Sequence, residues 1–292
     1  DRTLGYLLLS LAMMTVGTTV IASKLIAASM PPFLVTALRF AIALPVLVAL
    51  ILRQGQRWPK LTRSDWGLLA LQAGAGSVGY TTLLISGLSH LPAADVGVII
   101  GTLPAVSALF SVLVLGERPG LRLVISALLA TLGVMAVGWR GAGPSSLVGM
   151  LCILGAVICE SAFILLNKRM PVPLPPLLQA RTMTGLGLAL SLPIALLELP
   201  VAMPAIETIA GVVWYALVPT VGGFLLWYGG AARVSGSEAA TFTAIAPLTA
   251  VALAALVLGE AIRWMQVLGM AAVILAILVL TLPLRLRPLP AA

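Results

Sequence analysis

The chain has 292 residues and a formal net charge of +8; 61% of it is hydrophobic and only 9% is charged, against roughly 25% charged in an average soluble domain. So few charges cannot cover a globule of this size, which excludes an ordinary water-soluble enzyme and a disordered chain. The basic residues are scattered between apolar runs and form no long patch, which excludes a nucleic-acid partner.

A bilayer core needs about 20 apolar residues in helix. Ten such runs follow one another, at approximately 4–28, 32–52, 66–88, 93–115, 120–139, 146–167, 176–197, 208–232, 238–258 and 263–283. The first starts at Leu4 and carries no cleavage pattern of a removable signal peptide. The breaks carry turn chemistry, as at Met30-Pro31-Pro32, Gly116-Glu117-Arg118-Pro119 and Gly141-Ala142-Gly143-Pro144. The expected fold is an all-α integral membrane protein of ten transmembrane helices, its lipid bilayer being the first partner. Cys152 and Cys159 are seven apart within one apolar run and read as free thiols, and no metal-ligand cluster or cofactor motif occurs.

Lysine and arginine set the orientation. With the N-terminus inside, the inner segments carry twelve basic residues: Arg2, Arg53, Arg57, Lys60, Arg63, Arg118, Arg122, Lys168, Arg169, Arg233, Arg285 and Arg287. The outer segments carry three: Lys24, Arg140 and Arg263. Both termini are therefore expected in the cytoplasm.

The halves resemble each other. Pro104 precedes Gly116 and Glu117 by twelve and thirteen residues, and Pro247 precedes Gly259 and Glu260 at the same spacing, 143 residues later. At this shift Asp95 falls on Glu238 and Gly101 on Ala244. The expected repeats are 1–140 and 145–292. Five crossings per repeat is odd, so the second enters the membrane from the opposite side. Inverted repeats belong mainly to secondary transporters.

On Pro104…Leu115-Gly116-Glu117, Pro247…Leu258-Gly259-Glu260 and the Arg39-Phe40 pair, the chain resembles the drug/metabolite transporter superfamily in its ten-helix EamA-type branch. Within it, the chain is most similar to aromatic amino acid exporters of the YddG type. The tryptophan common early in that family's first helix is replaced here by Gly17-Thr18-Thr19. The resemblance implies export of small organic metabolites from a bacterium across its inner membrane, by a monomer or weak homodimer.

Several faces could line a substrate path. Small residues Gly97, Gly101, Ala105 and Ala108 recur at helical spacing in the fourth run, with Thr102 beside them. Packing alone explains such a stripe. Pro104 and Pro247, however, each disturb the carbonyl four residues earlier, at Ile100 and Thr243, which favours a cavity there with the two prolines as hinges. Thr243 and Ala244 stand beside the second. Gly76 and Tyr80 share a side of the third run, and Phe224, Trp227 and Tyr228 a side of the eighth. Two aromatic faces could clasp a flat apolar group, or the second could be an interfacial belt. Met14, Gly17 and Thr18 supply the first helix, and Phe163 the sixth.

The buried charges are Glu160, Arg39 and Arg181. Glu160 must pair, face water or be protonated. It serves either as a partner for an arginine or as a proton- or cation-binding group. Arg39 pairs with a carbonyl or acid, snorkels, or receives a carboxylate. Lys24 and Lys168 read as snorkelling side chains near opposite faces. Asp95 and Glu238 suit the positive ends of their helices, and His90 reads as surface-exposed. Gly74-Ala75-Gly76-Ser77-Val78-Gly79 matches a dinucleotide fingerprint by letter only, because it lies inside a spanning run rather than after a strand. The expected activity is secondary transport of aromatic or other apolar amino acids by alternating access, not catalysis. The alternative is proton-coupled export of cationic drugs through Glu160.

Overall fold

The computed structural model describes residues 2–55, 59–103, 105–107, 109–110, 120–138, 146–171, 174–198, 204–231, 233–234, 242 and 245–281. Among them the secondary structure is entirely helical. In chain order the elements are α1 (Arg2–Ala27), α2 (Pro32–Gln54), α3 (Arg63–Gln72), the π-helix π1 (Ala73–Gly79), α4 (Tyr80–Leu88), α5 (Ala93–Ile100), α6 (Leu121–Gly138) and α7 (Leu147–Lys168). Then come α8 (Pro176–Ala195), α9 (Ile206–Tyr215), the π-helix π2 (Ala216–Gly222), α10 (Gly223–Ala231), α11 (Ile245–Leu258) and α12 (Trp264–Thr281). Elements α3, π1 and α4 form one continuous rod, and so do α9, π2 and α10.

Local chemistry sets the ends. Pro32 opens α2, where a missing N–H costs nothing, and Gly55 closes it in the left-handed conformation, φ 61°. Thr62 and Asp65 form a reciprocal capping box at the start of α3. Among the described residues, five helical spans are long and apolar enough to cross a bilayer: Arg2–Ala27, Pro32–Gln54, Arg63–Leu88, Leu147–Leu166 and Ile206–Gly230. The apolar side chains turned outward, such as Leu52, Leu197 and Leu256, are largely exposed in the bare protein. An apolar belt of this extent fits lipid rather than water.

The fourth run is not one continuous helix. Helix α5 stops at Ile100, and Gly101-Thr102 turns, with the Thr102 N–H donating to the Ile99 carbonyl at 3.0 Å. The break lies just before position 104, where a proline can make no bond back to Ile100. Pro104 itself lies outside the described residues, as do Thr243, Ala244, Glu117 and Glu238. Pro247 is buried in the first turn of α11, where proline is tolerated.

Repetition reaches the backbone. Elements α9, π2 and α10 each start 143 residues after α3, π1 and α4, and each matches its counterpart in length. The contacts repeat as well. A Cβ on Gly87 would meet Ile153, and one on Gly230 would meet Leu9; a Cβ on Gly149 would meet His90 and Leu91, and one on Gly5 would meet Arg233 and Val234. Every residue of one set lies 143 or 144 positions from its counterpart.

The two halves are nonetheless interwoven. Helix α2 packs along α8, α6 along α12, α5 against α11, and α1 against α9, α10 and α11. One core cluster joins Ala43, Leu47 and Ile51 of α2 to Leu177 and Leu178 of α8 and to Ala216 and Val221 of π2. Another joins Val20 of α1, Leu84 of α4 and Ile99 of α5 to Ile153 of α7 and Ala250 of α11. Each half completes its core with the other.

Candidate functional site

The first π-helix and the residue that precedes the second meet the same side chain. Arg39, on α2, is 7% exposed. Its Nη2 donates to the carbonyl of Ser77 within π1 at 3.3 Å. Its guanidinium carbon lies 4.2 Å from the centroid of the Phe40 ring and 4.5 Å from that of Tyr215, the residue before π2. A π-helix shifts hydrogen bonds to the fifth residue and releases the normal register; here Tyr80 N–H donates to the Ala75 carbonyl, and the Thr220 hydroxyl to that of Tyr215 at 2.8 Å. Such insertions are frequent at functional sites.

Around this cation stand polar groups from other rods. Tyr80 of α4 packs against the core cluster that holds Val20 and Ile21 of α1. Glu160 of α7 lies within electrostatic reach of Arg39, Tyr80 and Tyr228. Glu160 and Tyr80 are partly accessible, whereas Arg39 is buried. No ion pair joins Arg39 to Glu160 among the described residues. The arrangement offers a buried positive group, an accessible negative one and tyrosine hydroxyls, walled by rings. That can bind a polar head and an aromatic or apolar body.

The glycines mostly serve packing. A Cβ on Gly76 would come within 2.3 Å of the Phe163 ring, so Gly76 seats Phe163. Gly17 likewise receives Thr249 of α11, and Gly101 receives Val273 of α12. Cys159 lies against Gly79, and both cysteines are free. Thr102 turns its hydroxyl to the Ile99 carbonyl at 2.7 Å, and Thr18 accepts from Trp214 Nε1 at 3.2 Å. Met14 is exposed on α1. Phe224 stacks on Tyr228 at 6.0 Å, and Trp227 packs on Ala12, Met13 and Ala246. Arg181 is partly buried on α8.

At one end of the bundle the structure corrects two expectations. Lys24 does not snorkel: its Nζ donates to the Leu88 and Leu91 carbonyls, both at 2.7 Å, and so caps the C-terminal end of α4. Asp95 is fully buried and does more than face a dipole. It pairs with Arg263, 3.0 Å away, and accepts from Gln266. Between them lies Glu260, whose two carboxylate oxygens accept from the Ala93 and Ala94 N–H groups at 2.9 and 3.0 Å. Gly259, at φ 65°, makes the left-handed turn that ends α11 and carries Glu260 onto the start of α5. The Leu258-Gly259-Glu260 motif is thus a cap in trans. His90 is exposed, as its loop position implied.

Ser77 and Tyr215 were not singled out by the sequence. The internal shift offers one signal, since Gln72 maps onto Tyr215 and both are buried ahead of a π-helix.

The model of the EamA-like transporter family matches twice, at residues 3–139 and 147–282. "Uncharacterized transporter YetK" of Bacillus subtilis is 32% identical over 278 residues, covering 92% of this chain and 84% of its own. "Probable terminal-alkyne amino-acid exporter" of Streptantibioticus cattleyicolor is 25% identical over 216 residues, covering 73% and 72%. A solved structure titled "Crystal structure of protein" has the same fold, with a TM-score of 0.66 at 24% identity over 96% of this chain and 97% of that one.

Proposed function

Since the chain belongs to the EamA-like transporter family, whose members are transporters and not enzymes, we propose that it is a secondary exporter of aromatic or other apolar amino acids. The observation that carries this reading is the cluster of Arg39, Glu160, Tyr80 and Tyr215 against the two π-helices. Charged groups buried in an apolar bundle are costly and mark transport paths. A relative named as a probable terminal-alkyne amino-acid exporter supports the amino-acid cargo, and the bacterial source of the relatives supports the inner membrane as the location.

In this reading the chain crosses ten times as two inverted five-helix repeats with both termini in the cytoplasm. The matched π-helices, the doubled family match and the repeated glycine contacts support it. Substrate sits between the halves and the helices hinge at Pro104 and Pro247. The Lys24, Glu260, Asp95 and Arg263 network then closes the outer end. Counterflow in proteoliposomes, with a panel of amino acids and quaternary amines, tests the substrate. Tyr80→Ala is expected to abolish uptake of an aromatic amino acid, and Pro104→Ala or Pro247→Ala to slow exchange without lowering expression. Unchanged transport in all three variants refutes the site and the hinges.

The accessible carboxylate of Glu160 favours one rival, proton-coupled export of cationic drugs. Loss of quaternary amine export in Glu160→Gln, with no response to any amino acid, would establish that rival.

A further inference from the structure

We propose that Arg39 and Glu160 form a dipolar seat for a zwitterion, with the substrate carboxylate on the guanidinium and its ammonium on the carboxylate. This rests on the amino-acid reading above and narrows it to ligands with both α-groups unblocked.

Arg39 is incompletely satisfied. Its bond to Ser77 is long, at 3.3 Å, and its Nε has no partner. The two ring faces offset its charge but accept no in-plane N–H. A guanidinium buried with open donors is stabilised by a planar anion that can take two parallel bonds. Glu160 is the complementary group. It follows Cys159, which lies against Gly79, and its charge acts on Tyr80. It feels Arg39, yet no nitrogen of Arg39 comes within the 4.0 Å of an ion pair. Opposite charges held near each other without contact create a field across the gap. A simple cation there is repelled by Arg39 and a simple anion by Glu160. A net-neutral molecule with separated charges satisfies both. Tyr80 and the Phe224–Tyr228 stack offer aromatic surface for its side chain.

The test uses the full chain in proteoliposomes and counterflow of radiolabelled L-phenylalanine. Competitors are unlabelled L-phenylalanine, its methyl ester, N-acetyl-L-phenylalanine and tetraphenylphosphonium. The expected result is competition by L-phenylalanine alone, with each blocked form at least about tenfold weaker. In Arg39→Gln the advantage of L-phenylalanine over its ester disappears, and in Glu160→Gln its advantage over the N-acetyl form disappears. Arg39→Lys, which keeps the charge and loses the fork, gives an intermediate ester ratio. If L-phenylalanine is transported but the blocked forms compete equally with it, the seat is wrong and the amino-acid reading stands. If tetraphenylphosphonium is transported and no amino acid is, both fall. The competitor panel on the unmodified protein decides even if a variant fails to fold.

Discussion

Glu260→Ala removes a carboxylate that holds the first two N–H groups of α5 at 2.9 and 3.0 Å. A lost helix cap costs about 1 kcal/mol, and the lost negative charge at the positive end of the helix about another 1 kcal/mol. Lys24 also loses an anion close to it, though it keeps its two carbonyl acceptors. The sum, about 2 kcal/mol, is roughly a 30-fold rise in the local opening constant of this end. Amide hydrogen exchange read by mass spectrometry on detergent-solubilised protein measures it directly. Peptides spanning 92–98 are expected to exchange roughly 30-fold faster, while peptides within α2 and α8 keep their rates. Glu260→Gln, which keeps one acceptor oxygen and loses the charge, falls between. If exchange at 92–98 is unchanged in Glu260→Ala, the motif is not a cap, and the account of Leu258-Gly259-Glu260 is refuted.

Three further outcomes can be checked by thermal unfolding. Arg263→Ala leaves the fully buried Asp95 carboxylate without its guanidinium and is expected to destabilise by about 1–3 kcal/mol, with the range kept low because Arg263 is 41% exposed; Arg263→Ala with Asp95→Asn recovers part of the loss, and no recovery argues against the pair. Gly76→Ala drives a Cβ into the ring and Cβ of Phe163 and is expected to cost about 1–3 kcal/mol. Adding Phe163→Ala, which removes the ring, should recover part of the loss, and strictly additive losses argue against the ring as the cause. Gly87→Ala and Gly230→Ala meet matching side chains, Ile153 and Leu9, so their losses should agree to within about 1 kcal/mol. A large disparity would show that the two contacts differ in mechanical setting despite the repeat.

Much of the fold was legible in the residues. Helix positions followed from apolar run length, because lipid penalises unsatisfied backbone uniformly. Turns followed from proline and glycine, and the 143-residue shift relates Pro104, Gly116 and Glu117 to Pro247, Gly259 and Glu260. The candidate site was legible in part. Glu160, Arg39 and Tyr80 stood out because a polar side chain in an apolar run has to be explained. Tyr215 and Ser77 did not, since an aromatic or a serine at helical spacing looks the same in a packed face and in a binding site.

The sequence by itself determined which segments are helical, which residues are costly to bury and that the chain is built twice. Only the tertiary structure decided who pairs with whom. It set α2 on α8 and α6 on α12, turned Gly17, Gly76 and Gly101 into seats for side chains, and gave Lys24 and Glu260 helix ends to cap. It also introduced the π-helices that bring Arg39 to both halves. The physical reason is that apolar faces are interchangeable by composition, whereas close packing and hydrogen-bond direction are not.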